Sequence, residues 1–125
     1  MKLIAALLLA FSATAAFGQA FPSRPICIIA PGAPGAPGAA GDVLARVVAS
    51  KLSETIGAQC IVENRLGAGG VTASDFVSKA APDGHTIMVG FNSTHGSVIF
   101  FSRNVLYDPV KDFTPIAMAA EAPYQ

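Results

Sequence analysis

Three short apolar runs, at residues 26–30, 60–62 and 86–91, alternate with two helical patterns. Each run empties into a loop rich in glycine, amide or hydroxyl groups. The order β-α-β-α-β leaves few folds open, because it implies a parallel sheet with helices on both faces. Right-handed crossovers then bring the three loops together at the carboxyl ends of the strands, where open α/β sheets bind ligands. The loops read PGAPGAPGAAGD, ENRLGAGG and NSTHG. None holds a cluster of titratable groups.

The local signals behind that order are specific. Pro25 precedes the first run, a buried strand. From Asp42, apolar residues fall at Leu44, Val47, Val48, Leu52 and Ile56, which is one helical face. Asp42 suits the N-cap and Gly57 the C′ position, where a positive φ is needed. Residues 71–81 form a second helix with Ala73, Phe76, Val77 and Ala80 on one face. Pro82, Asp83 and Gly84 make a turn. The third run is nearly all apolar, which predicts a strand buried on both faces. Residues 97–102 are ambiguous and allow a helical turn, Tyr107 to Pro109 is another turn, and residues 113–120 read as a fourth strand.

Composition narrows the class. The chain has 125 residues, enough for one small domain, and is 52% apolar and 13% charged. Eight basic residues balance eight acidic ones, so nucleic-acid binding has no electrostatic footprint. Residues 1–20 read as a secretory signal peptide: Lys2, then an apolar stretch from 3 to 17, then Gly18, Gln19 and Ala20 before a cut. The stretch is short of the ~20 residues a membrane span needs. The mature chain, 21–125, is expected to be exported. Cys27 and Cys60 both lie in predicted strands, whose geometry disfavours a disulfide; two thiols are expected, and no metal site.

The chemistry the loops allow is binding rather than catalysis. The first loop leads to a helix N-terminus, whose free N–H groups favour an anion. Gly38 and Gly41 either admit a ligand to the backbone or merely permit the turn. Asp42 reads as a cap or a ligand contact. Asn64 and Arg65 either steer an anion or are a loop-fixing amide and a solvated guanidinium. Residues 67–70 (GAGG) resemble a dinucleotide loop, but Thr72 breaks the G-x-G-x-x-G spacing, and there is no P-loop. His85 reads as a surface or edge residue. Ser93, Thr94 and His95 either bond a ligand or shape their loop; no G-x-S-x-G surrounds them. Asp75, Asp83, Asp108 and Asp112 read as cap and turn residues.

The series FPSRPI, GAAGDVLAR, VENRLGAGG, KAAPDGHTI and YDPVKDFTPI resembles the Bug family, the TctC-like substrate-binding proteins of tripartite tricarboxylate transporters. The resemblance spans the whole mature chain. It implies the N-terminal part of lobe one of a type II periplasmic-binding-protein fold, with a small organic carboxylate, such as a di- or tricarboxylate or an amino acid, held between two lobes. Transporter subunits are the implied partners, and no enzyme activity or cofactor is implied. Carried over to matching positions, the implied ligand-binding residues are Pro37, Gly38, Ala39, Gly41, Asp42, Asn64, Ser93, Thr94 and His95, with residues 67–70 beside them.

Three departures stand out. The first loop is longer than the family's by one Pro-Gly-Ala copy, and Ala39 replaces the second glycine of a pair. Val98 and Ile99 stand where the family has Asn-Pro. The sequence also stops where the family's chain crosses to its second lobe. A single wall cannot exclude water, so weak or absent binding and marginal stability are expected of this chain alone. An exported remnant without ligand function, and a nucleotide-binding Rossmann-like enzyme domain, are the alternatives.

Overall fold

A computed structural model describes residues 20–35, 40–102 and 105–121. The signal-peptide stretch up to residue 19, and Pro37, Gly38 and Ala39 of the first loop, lie outside the described residues. The elements follow in the order β1 (Ile26–Pro31), α1 (Ala40–Ile56), β2 (Cys60–Arg65), α2 (Val71–Ser78), β3 (Thr86–Met88) and α3 (Val98–Phe101). A 3-10 turn, Ala68–Gly70, leads into α2, and a wide turn, Asn92–Gly96, leads toward α3.

The three strands are parallel in the order β2-β1-β3. The chain leaves β1 for β2 on one side and returns past it to β3 on the other. Two right-handed crossovers of opposite direction put α1 and α2 on opposite faces. The point where the direction reverses lies between β1 and β3, and a crevice opens there at the carboxyl ends of the strands.

Alternation along β1 divides the core. Ile26, Ile28 and Ala30 face α1 and pack with Ala45 and Ala49. Cys60, Val62, Ile87 and Val89 close the same layer from the neighbouring strands. Ile28 is 1% exposed; burial of such a side chain contributes about 1.5–3 kcal/mol. Small Ala45 and Ala49 let the helix lie close to the sheet, and Val47, expected in the buried face, is exposed instead. Gly57 ends α1 with a positive φ of 64°, and its N–H reaches the Ser53 carbonyl at 3.0 Å.

Several expectations are corrected. Helix α1 begins at Ala40, so Asp42 is a first-turn residue and not the N-cap. Strand β2 runs on to Arg65, three residues beyond the predicted end, because its main chain keeps pairing with β1. Helix α2 stops at Ser78. Asp75 is inside it, paired with Lys79 at 2.7 Å, and does not cap. Strand β3 is three residues long and half-buried, not buried on both faces, since it pairs only with β1 among the described residues. Residues 113–120 form no strand; no neighbouring strand among the described residues offers them partners, and all but Phe113 are exposed.

The cysteines are free, and the register explains why. Cys60 is level with Ile26, whereas Cys27 is level with Ile61. One step of offset puts the two side chains on opposite faces of the sheet. His85, expected to be a surface or edge residue, does lie immediately before the outer strand β3 but is buried there. The Phe21 ring meets it edge-on at 4.9 Å, and its carbonyl accepts the Cys27 N–H at 2.7 Å. The Asp83 turn, by contrast, forms as expected, its carboxylate accepting the His85 N–H at 3.0 Å and Arg24 at 2.7 Å.

Candidate binding site

The three loops meet at Gly70. Its φ is +98°, and a Cβ there would lie 2.5 Å from Thr94 Cγ2 and 3.1 Å from Pro31 Cβ. Only glycine fits, for reasons of both conformation and space. Gly67, with φ +125°, is similarly hemmed in by Thr72 Oγ1 at 2.6 Å. The glycines of the second loop therefore bring backbone, not side chains, to the junction of the loops. Beside them opens a shallow cavity of about 210 Å³, lined by Pro31, Gly32, Leu66, Gly67, Gly69, Gly70, Phe91 and Ser93.

The first loop enters this site through a network centred on Asp42, which is 5% exposed. Its carboxylate accepts Arg46 Nε at 3.0 Å, the Gly35 N–H at 3.3 Å and Asn64 Nδ2 at 3.0 Å. The Arg46 and Asn64 hydrogen bonds hold the Asp42 carboxyl below the usual carboxylate range. The second hydrogen of the Asn64 amide goes to the Gly32 carbonyl at 3.3 Å. Asn64 thus fixes both ends of the first loop's entry. Arg65 pairs with Glu63 at 2.6 Å and stacks 3.4 Å over the Phe76 ring, on the opposite face of β2 from Asn64.

Gly41 is buried for a packing reason. A Cβ on it would meet the Phe91 ring at 3.0 Å and the Pro31 carbonyl at 3.2 Å. Phe91 itself lines the cavity, although the sequence reading ended a strand on it. Its place directly before NSTHG was the available signal.

The third loop is a wide turn closed by the Ser97 N–H on the Asn92 carbonyl at 2.8 Å, five residues back. Thr94 is fully buried. Its hydroxyl accepts the Phe91 N–H at 2.9 Å and lies 3.0 Å from the Phe91 carbonyl and 2.8 Å from His95 Nδ1. The Thr94 carbonyl accepts the Tyr107 hydroxyl at 2.6 Å. His95 packs edge-on against Phe113 at 4.6 Å, and burial pulls its pKa down. Ser93 is exposed and faces the cavity. The structure therefore gathers Gly41, Asp42, Asn64, Ser93, Thr94 and His95 at one edge. Among them Ser93 borders the cavity, while Asp42, Asn64 and Thr94 bind neighbouring protein groups.

This is the N-terminal part of lobe one of a type II periplasmic-binding-protein fold, and solved structures bear the likeness out. MatC from Rhodopseudomonas palustris, with bound malate, superposes with a TM-score of 0.72 at 41% identity, over 79% of this chain and 33% of that one. A second R. palustris protein, with adipate, gives 0.66 at 32% identity, over 71% and 29%. Residues 44–125 match the tripartite tricarboxylate transporter family receptor model, TctC. The chain belongs to that family. A protein of the tcbD-tcbE intergenic region of Pseudomonas sp. (strain P51) is 43% identical over 98% of this chain and 36% of its own length. BugT of Bordetella pertussis is 34% identical over 82% and 31%. The chain spans about a third of the length of these relatives.

Proposed function

We propose that the chain forms one wall of a periplasmic receptor site for a small organic carboxylate, serving a tripartite tricarboxylate transporter. The observation that carries this reading is the cavity at the junction of the three loops. Its polar surface is mainly glycine backbone and the Ser93 hydroxyl, groups that suit an anion without titrating. The malate and adipate of the two R. palustris neighbours are dicarboxylates, which supports the same ligand class. Residues 67–70 and Ser93 are the proposed contacts from the described residues. Pro37, Gly38 and Ala39 are proposed to complete them from the first loop. Residues 1–20 are proposed to direct export and to be cleaved after Ala20.

One wall leaves the ligand in water, where charge-assisted hydrogen bonds are screened. The chain alone is therefore expected to bind weakly or not at all. Calorimetry with citrate, malate, aspartate and glutamate tests this on two proteins: the mature chain, and the same chain continued by the remaining two-thirds of R. palustris MatC. Binding by the chimera alone supports the reading. Micromolar binding by the mature chain overturns the one-wall account. Silence from both favours an exported remnant, and tight NAD or ATP binding would favour the nucleotide-binding alternative.

A further inference from the structure

The Asp42 network joins parts of the chain that a binding loop would otherwise leave independent. Gly32 and Gly35 belong to the first loop, Asp42 and Arg46 to α1, and Asn64 to the end of β2, six residues before Gly70. Gly32 and Gly35 have positive φ values of 109° and 63°, with open space where a Cβ would stand. Their fixed points are polar: the Gly32 carbonyl on Asn64, the Gly32 N–H on the Arg65 carbonyl at 3.1 Å, and the Gly35 N–H on Asp42. A buried carboxylate takes three kinds of donor at once here, and charge-assisted bonds of this sort are the stronger ones.

We propose that Asp42 and Asn64 are positioning residues, a latch that sets the gap between the first and second loops and hence the width of the cavity between Gly32 and residues 67–70. Its functional meaning rests on the receptor reading, but the latch itself is testable without ligand. Asp42, on α1, contributes a carboxylate that accepts from Gly35 of the first loop and from Asn64 at the end of β2; Asn64 contributes two donors, one to Asp42 and one to the Gly32 carbonyl of the first loop. Each is satisfied within the protein, so the latch holds the loops apart from any ligand charge. The charged groups facing it are Asp42 and Arg46 on α1; Glu63 and Arg65, its neighbours on β2, pair on the other face.

The test uses the full chain, with amide hydrogen exchange and amide shifts read by NMR. Asp42→Asn turns one accepting oxygen into a donor that faces other donors. Exchange at Gly35 and at residues 67–70 is expected to quicken by at least about tenfold. The Cys27 and Val89 amides, which bridge β1 to the β3 segment, are expected to stay within about twofold of wild type, because distant sites are nearly independent. Asn64→Asp sets two carboxylates about 3 Å apart, which raises the pKa of one of them. Its loops are expected open at neutral pH and closed again on acidification, as the pair comes to share a proton. The pH response serves even if Asp42→Asn fails to fold. Uniform acceleration at Cys27, Val89 and the loops alike, or no pH response in Asn64→Asp, overturns the latch. Adding malate to the wild-type chimera separates the two ideas: no shift at residues 67–70 there, with the latch intact, counts against the receptor reading alone.

Discussion

The unit β1-α1-β2 and the segment from Ser97 to Glu121 contrast sharply in what they do with apolar surface. In the first, Ile26, Ile28 and Ala30 are sealed between the sheet and α1, and polar groups at the loop ends find partners within the unit. In the second, Phe100, Phe101, Leu106, Val110, Ile116 and Met118 are all more than 70% exposed. Among the described residues, short tethers hold it: Val98 and Tyr107 are buried, Tyr107 bonds the Thr94 carbonyl, and Phe113 packs on His95. A βαβ unit can bury its own core because its strands pair with each other. The later segment has no neighbouring strand among the described residues, so its apolar side chains meet solvent. The lesson is that the edge where the loops meet rests on a unit that buries its own core, while the later segment, among the described residues, leaves its apolar side chains in solvent.

The largest effect should come from Ile28→Ala. Removing a fully buried side chain from the centre of the sheet is expected to cost about 2–5 kcal/mol, seen as a drop in the urea midpoint. A change below about 1 kcal/mol would mean that the sheet is not the packed core described here. Gly70→Ala comes next, with a cost of about 3 kcal/mol from a left-handed backbone and overlap with Thr94 and Pro31. Its amide-shift changes should centre on Gly32, residue 70 and Thr94, beside the point where the three loops touch.

These elements also show how far the sequence could be read. Strand β1 and helix α1 were legible because their periods are local: Pro25 and Gly57 bracket them, and apolar spacing does the rest. The role of Asp42 was not. An aspartate before an apolar periodic run looks like a cap, but the Ala-Gly pair ahead of it is itself helical, and that places the carboxylate two residues inside, beneath the loops. Thr94 reads from sequence as shaping its own loop ahead of bonding a ligand, and its burial, with its hydroxyl on Phe91 and His95, agrees. The edge position of His85 is legible but its burial is not, because its cover, Phe21, lies 64 residues away in sequence. Phe91 escapes the sequence because its one signal, its place directly before NSTHG, does not say that the ring turns toward a neighbouring loop.

A smaller effect is read along the pH axis. The His85 N–H and then Arg24 hold Asp83 down to about 2, against about 3.9 for an unfolded aspartate. A folded pKa below the unfolded one contributes stability above about pH 4 that is lost as pH falls toward 2. Asp83→Asn should flatten that part of an acid-denaturation curve; an unchanged curve would remove the Arg24–Asp83 tie from the account. Smallest of all is Phe100→Ser, at 79% exposure. Its urea midpoint should correspond to a change within about 0.5 kcal/mol, while solubility rises. A loss comparable to that of Ile28→Ala would erase the contrast between the two regions.

The central claim is that a carboxylate is received at the edge where the three loops converge. The most direct measurement is an amide-shift titration of the MatC chimera with malate. The account predicts saturable shifts at Gly32, residues 67–70 and Ser93, around the cavity of about 210 Å³. Saturable shifts confined instead to Ile99, Leu106 and Val110, around the wider hollow of about 730 Å³ beside α3, would contradict it.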